Sequence, residues 1–518
     1  MRKILFFVTL VLVFGLFATL SFAGGKTLVV GQGAEPVGLD PQDVTDNPSY
    51  EVARHIYDGL VEFGPDLKIQ PALAEKWDVS EDGLTWTFYL RKGVKFHSGT
   101  PFNAEAVKKN FDRIVNGKFK RTSLYKPFIK SVEVVDEYTV KFHLKVPFGA
   151  FLHILAHGAG LILDPSLIDK GADIKHHPSG TGAFVFKEWV PGDHITLVAN
   201  KNYWRKDKVK LSKIVFKTIP EDTSRTMMLE TGELDVAERV SPFDVPRLQK
   251  NKKIKVEIAP SLRVIYMLIN NVKYPDVRVR QAFNYAVDKE AICKNILKGL
   301  AEPAHSPLAP LTWGYADGGY YPYDPDKAKA LLAEAGWKDT DGDGILDKDG
   351  KKFTLKLYTP HGRYLMDYKV AEAVQGYFQK IGIEAKLHTA DWATYLASLR
   401  KPPEEAKYDL ALLGWAPSTG DGDWVLRPLF HSDYFAPKGG NRAFYKNPEV
   451  DKLIIAGMKE VNPDKRKEYY KKAQEIIMKD APWLFLHVQK NVIAYRTNIK
   501  NVIELPLEIL VVKWADKE

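Results

Sequence analysis

The chain has 518 residues, so more than one packing unit is expected. Its 45% hydrophobic and 27% charged residues are ordinary for a globular protein and exclude a disordered or fibrous chain. The formal charge of +9 is spread thinly, as in "KNFDRIVNGKFKRTSLYKPFIK", and no basic run is long enough to track a phosphate backbone, so nucleic acid is not an expected partner.

At the N-terminus, Arg2 and Lys3 precede an apolar run over residues 4–20. Ser21-Phe22-Ala23 then puts small residues at the two positions a signal peptidase reads. Residues 1–23 are therefore expected to be a secretory signal peptide, because the run is short for a membrane span. No cysteine stands at the cleavage point to take a lipid. The single cysteine, Cys293, leaves no intrachain disulfide, and its helical context "DKEAICKNIL" reads as a small buried apolar position. No other stretch is apolar enough to span a bilayer, so an exported, soluble product is expected.

The first half reads as rich in strands. "KTLVVGQGAEPVGLDP" is a strand followed by a Gly/Pro loop. "LTWTFYLRKGVKF" reads as strand, turn and strand, with "DG" at 82–83 and "KG" at 92–93 as turn signals. "YTVKFHLKVPF" and "HITLVANKNYW" alternate as further strands. "KHHP" at 175–178, and His431 further on, lack the spacing of a metal site.

The second half changes character. "DPDKAKALLAEAGW" predicts a helix capped by Asp324, with Pro325 in its first turn, Gly336 at its end, and Ala328, Leu331, Leu332 and Ala335 on one face. In "DTDGDGILDKDG", residues 339–350, Asp339, Asp341 and Asp343 with Gly344 match the first half of an EF-hand loop. The twelfth position is Gly350 rather than Glu, so Asp347 would have to complete a structural calcium site; the other reading is an acidic turn. "FTLKLYT", "YKVAEAVQGYFQKIG", "IEAKLHT", "WATYLASLR" and "YDLALLG" then alternate strand and helix, which predicts a mostly parallel sheet covered by helices. "PDKRKEYYKKAQEIIMKD" is a later amphipathic helix.

Two loops leave the carboxyl ends of neighbouring strands, where open α/β sheets bind ligands. "PHGRY" carries Arg363; "GWAPSTGDGDW", residues 414–424, carries Trp415, Ser418, Thr419, Asp421 and Asp423. Arg363 can fork a carboxylate or form a surface ion pair. Trp415 and Trp424 can stack on a solute or pack beneath the loop. Ser418 and Thr419 offer hydroxyls. Asp421 and Asp423 can take an ammonium or simply serve a glycine-rich turn; Asp421 is the first choice for the ammonium, with Arg363 for a carboxylate. No nucleophile elbow, phosphate loop or dinucleotide fingerprint is present.

Residues 73–107, "LAEKWDVSEDGLTWTFYLRKGVKFHSGTPFNAEAV", resemble the signature of the family 5 extracellular solute-binding proteins of ABC importers. "GTGAFVFKEWVPGDHITLVANKNYW", "DVRVRQAFNYAVDKEAI" and "AQEIIMKDAPWLFL" extend that resemblance along the chain, and "GWAPSTGDGDWVLRPLF" is most similar to its glutathione-binding branch. Where the dipeptide-binding branch has an amine-binding aspartate after Gly-Trp, this sequence has Ser418. The resemblance implies a two-lobed α/β periplasmic-binding-protein fold of class II. Lobe I would comprise residues 24–66, 180–270 and 490–518, an inserted subdomain 67–179, and lobe II 271–489. It also implies a monomer that captures a small peptide-like solute, glutathione or a short peptide, by lobe closure and delivers it to a membrane permease, with no cofactor or enzymatic step of its own. The alternatives are an oligosaccharide binder, using Trp313, Trp392 and Trp415, and a secreted hydrolase, for which no catalytic pair is visible.

Overall fold

The computed structural model describes residues 26–518, so the expected signal peptide lies outside it. Strand β1 (Thr27–Gln32) alternates as expected and leads through the Gly/Pro loop to α1 (Asn47–Ile56). Asp46 caps α1 by accepting the Ser49 N–H at 2.9 Å, with Pro48 in the first turn.

A separate antiparallel sheet follows, built from β2 (Ala74–Val79), β3 (Thr85–Leu90), β4 (Ile129–Asp136) and β5 (Thr139–Leu144) in the order β2-β3-β5-β4. Gly83, at φ 69°, makes the turn between β2 and β3. The strand expected after Gly93 does not form. Gly93 turns at φ 75°, and Val94 and Phe96 enter the core from a loop in which Lys95 bridges to Pro101. Helix α2 (Ala104–Asn116) lies in this unit, and the short α3 (Phe151–Ala156) follows it.

The main sheet takes its first-lobe strands from β1, β6 (Phe184–Val190), β7 (His194–Ala199), β8 (Lys213–Thr218) and β9 (Val236–Ala237). Then comes the long β10 (Ile254–Ile269). Helix α4 (Pro325–Glu334) starts at Asp324, which accepts the Lys327 N–H at 2.8 Å, and ends before Gly336 at φ 90°. After it run β11 (Thr354–Tyr358), α5 (Asp367–Lys380), β12 (Glu384–His388), α6 (Trp392–Leu399) and β13 (Leu410–Trp415). Helices α7 (Asp423–Phe430), α8 (Pro448–Lys459) and α9 (Pro463–Asp480) precede a second long strand, β14 (Trp483–Arg496). Among the described residues, no helix is long and apolar enough to cross a membrane.

The strand order is β12-β11-β13-β10-β14-β9-β1-β8-β7-β6. The second lobe is parallel only where helices cross over, between β11 and its neighbours β12 and β13. Beside them β13, β10 and β14 run antiparallel, so the sheet is mixed rather than mostly parallel. Its core packs Leu355 and Leu357 against Val370, Val374 and Phe378, and Cys293 joins it with burial pushing its thiol up to about 12.

Strands β10 and β14 cross both lobes. Ile254–Pro260 pair with residues 490–496 in the first, and Val264–Leu268 pair with residues 483–488 in the second. The register breaks between Pro260 and Val264. Residues 264–269, expected in lobe I, thus pair with β13 of lobe II, and the crossing falls inside the strand.

The inserted unit packs on the second lobe. Phe128 stacks on Phe148 with ring centroids 3.7 Å apart, and Arg427 lies over Phe128 at 5.5 Å. The Gly149 N–H donates to the Met458 carbonyl at 2.9 Å, and a Cβ on Gly149 would stand 2.1 Å from the Glu460 carbonyl oxygen. Gly149→Ala is therefore expected to destabilise the fold by about 1–3 kcal/mol through overpacking, read as a lower urea midpoint; an unchanged midpoint would mean the contact yields freely.

Candidate functional site

Because β11 and β13 are parallel neighbours, the loops after them leave at the same edge. β13 runs on to Trp415, opposite Val264, so its loop emerges where β10 passes between the lobes. A cleft of about 820 Å³ opens there, lined from both sides.

The second-lobe wall is set by Asp367. Its carboxylate accepts the N–H groups of Gly362 at 2.9 Å, Arg363 at 2.8 Å and Tyr364 at 3.0 Å, which fixes the loop after β11. Arg363 then stacks over Trp392 and Tyr364, with its guanidinium carbon 5.1 and 5.3 Å from the ring centroids. Tyr364 donates to the Gly414 carbonyl at 3.2 Å, and a Cβ at 414 would press on Ile265 at 2.5 Å and on the Tyr364 ring at 2.8 Å. Trp415 lines the cleft and donates its indole N–H to the Trp424 carbonyl at 2.9 Å. Ser418 also lines it, and its hydroxyl is buried without a partner.

The next residues turn away from the cleft. Thr419 is buried and its hydroxyl accepts the Asp421 N–H at 3.4 Å. Asp421 is fully buried, and Arg466 forks both its oxygens, at 2.6 and 2.7 Å. Its other contacts are the Asp423 N–H at 2.8 Å and the His153 ring at 3.3 Å. Asp423 is held by Arg427 at 2.6 and 3.0 Å. The expected ammonium acceptors, Asp421 and Asp423, are thus committed to arginines of α9 and α7, and Thr419 is committed to the same turn. Trp313, expected as a sugar face, stacks on Arg466 at 4.2 Å.

Burial works to raise the Asp421 carboxyl, but the Arg466 guanidinium overrides it and holds it below the usual range. Burial lowers His153 despite the pull of Asp421.

Sequence reading missed the residues that complete the cleft. On the second-lobe wall, Arg442 has a buried Nε and a guanidinium with no hydrogen bond or ion pair among the described residues. From the crossing strands come Arg263, paired with Glu508 at 2.6 and 2.5 Å, and Gln489. Glu51, Glu238 and Glu504 line the opposite side. None of these lies in a local motif, because each is placed by tertiary packing.

Away from the cleft, Asp339, Asp341 and Asp347 bring carboxylate oxygens within 4.8 Å of one another. Asp341 and Asp343 both pair with Lys352, at 2.6 and 2.7 Å, while Asp347 accepts from Thr340 at 2.8 Å.

A sheet divided between two lobes, long strands crossing both, and a charged cleft at the crossing define a two-lobed solute-binding protein. The profile of the bacterial extracellular solute-binding proteins, family 5 (middle part), matches residues 68–436. The chain is 37% identical over 488 residues to the glutathione-binding protein GsiB of Salmonella choleraesuis (strain SC-B67), covering 93% of this chain and 92% of that one. It is similar in structure to the oligopeptide-binding protein AppA from Bacillus subtilis in complex with a nonapeptide, at 31% identity and TM-score 0.76, with 96% and 99% of the two chains covered. A further likeness is to the ABC transporter-associated periplasmic binding protein DppA from Helicobacter pylori in complex with peptide STSA, at 30% identity and TM-score 0.76, covering 96% and 98%. This chain belongs to the family 5 bacterial extracellular solute-binding proteins.

Removing one partner of a buried ion pair strands the other, so Asp421→Asn is expected to cost about 3–5 kcal/mol of stability at neutral pH. Acid acts in the same direction. The folded pKa of Asp421 lies below its unfolded value, so its contribution is full at neutral pH and is lost as pH falls through the folded value. Below the ordinary His value of 6.5, the unfolded chain also takes up a proton that buried His153 refuses. Urea unfolding from pH 7.5 downward should show stability declining below about pH 6.5; rising stability on acidification would contradict this arrangement.

Proposed function

We propose that this chain is the exported capture component of an ABC importer, taking a small peptide-like solute, glutathione or a short peptide, between its lobes outside the membrane. The observation that carries this reading is the cleft itself, with free guanidiniums on one wall, carboxyls on the other, and a volume of about 820 Å³. The names of the relatives support it, since they describe glutathione- and peptide-binding proteins. Export rests on the leader expected at residues 1–23. The closed, loaded monomer is the form offered to the permease, and the chain itself binds rather than turns over its solute. Closing from 1:99 to 99:1 asks roughly 5.5 kcal/mol of differential affinity from the solute.

Arg363 is proposed to meet a solute carboxylate, Trp415 to lie against its apolar part, and Ser418 to hydrogen-bond it. Arg363→Ala is expected to weaken glutathione or short-peptide binding at least tenfold in titration calorimetry, while Lys465→Ala on the exposed face of α9 leaves it unchanged. Wild-type protein that ignores glutathione and short peptides but binds a neutral oligosaccharide would replace this reading with the sugar one.

The acidic loop is a separate proposal, a structural calcium ion on Asp339, Asp341 and Asp347 with Asp343 nearby. The ion would have to displace Lys352 from Asp341. A melting temperature higher in millimolar calcium than in chelator supports the ion; equal temperatures leave Lys352 as the clasp.

A further inference from the structure

The charges lining the cleft do not neutralise one another. On the first-lobe side, Glu504 is half-buried, and one of its oxygens accepts from the Asn491 amide at 3.0 Å. It has no ion-pair partner among the described residues. Around it stand Glu51 from α1, Glu238 and Arg239 after β9, and Glu508, whose charge Arg263 from β10 already answers. Arg239 is thus the nearby guanidinium left for three carboxyls, and it reaches Glu238 only at 3.9 Å. Burial, then the neighbouring Glu238, keeps the Glu51 carboxyl well above the usual carboxylate range; burial, then Glu238 and Glu508, does the same to Glu504. A partly buried acid patch short of cations is a place made for one.

The opposite wall shows the reverse. The guanidinium of Arg442 is unpaired among the described residues, with its Nε sealed from water, and Arg363 is held only by aromatic faces. Only the Arg442 Nε is buried, but a half-buried guanidinium with no anion beside it leaves its charge unanswered, and a buried polar atom without a partner calls for an explanation. A bound anion supplies one.

We propose that Glu504 receives the ammonium of the solute's amino-acid head, and that Arg442, together with Arg363, receives a carboxylate at its far end. This rests on the capture reading above. Arg239, whose side chain is 52% exposed, is then the guanidinium left for the carboxylate next to that ammonium. The favoured solute then has one ammonium and two carboxylates, with its head toward the first lobe.

The test is calorimetric titration of the wild-type chain at pH 7 with reduced glutathione and with N-acetylglutathione. Glutathione is expected to bind at least tenfold more tightly. Glu504→Gln, which can keep the Asn491 bond, should erase the preference for the free amine, and Arg442→Gln should weaken both solutes at least tenfold. Equal wild-type affinities for the two solutes would overturn this assignment while leaving the capture reading intact. Failure to bind glutathione or any short peptide would overturn both.

Discussion

The ion pair between Asp421 and Arg466 is fully buried, and the second-lobe wall of the cleft is built around it. Arg466 gives two further donors to the Gly457 carbonyl at 2.9 Å and the Tyr470 hydroxyl at 3.1 Å, and lays its flat face on Trp313. Helix α9, the end of α8 and the segment around residue 313 therefore meet at one carboxylate. The loop bearing that carboxylate is pinned a few residues beyond the point where it presents Trp415 and Ser418 to the cleft. A buried ion pair is weak evidence of net stability, because desolvation offsets most of the attraction. Its consequence here is positional: a glycine-rich loop that would otherwise sample many conformations has one.

The same pair reaches across to the inserted unit. His153 lies against Asp421, and the Gly149 backbone passes close to Arg466 and the end of α8. Apolar residues of the insert and of the second lobe belong to one buried cluster, in which Phe151 and Ile154 share a core with Val425 and Tyr470. The inserted unit and the second lobe thus share one core in the described conformation. Two strands, β10 and β14, carry the chain between them, and the irregularity after Pro260 lies where they cross. Acid groups on one wall and guanidiniums on the other can hold a single solute only when both walls are near it, which ties recognition to closure.

Much of the scaffold was legible from local signals. The cap at Asp324 and the stop at Gly336 bound α4 as the residue types dictate, and the alternation after residue 353 gives β11, α5, β12, α6 and β13 in order. The placing of the two loops followed from strand direction alone. What failed was anything requiring a distant partner. Aspartates in a glycine-rich loop look alike whether they face solvent, a solute or an arginine; Arg466, in the charged run "DKRKE", reads as surface yet is 1% exposed. Arg442 and Glu504 lie in unremarkable stretches and acquire meaning only from what surrounds them. The strand expected after Gly93 failed for a related reason: Val94 and Phe96 are apolar because they fill a core, not because a neighbour strand pairs with them.

Capture by closure is the claim on which the functional account stands, and the shape of the chain in solution tests it most directly. Small-angle X-ray scattering of the mature chain, alone and with saturating reduced glutathione, should show a smaller radius of gyration in the bound state. An unchanged radius, with saturation confirmed by calorimetry in the same sample, would contradict it.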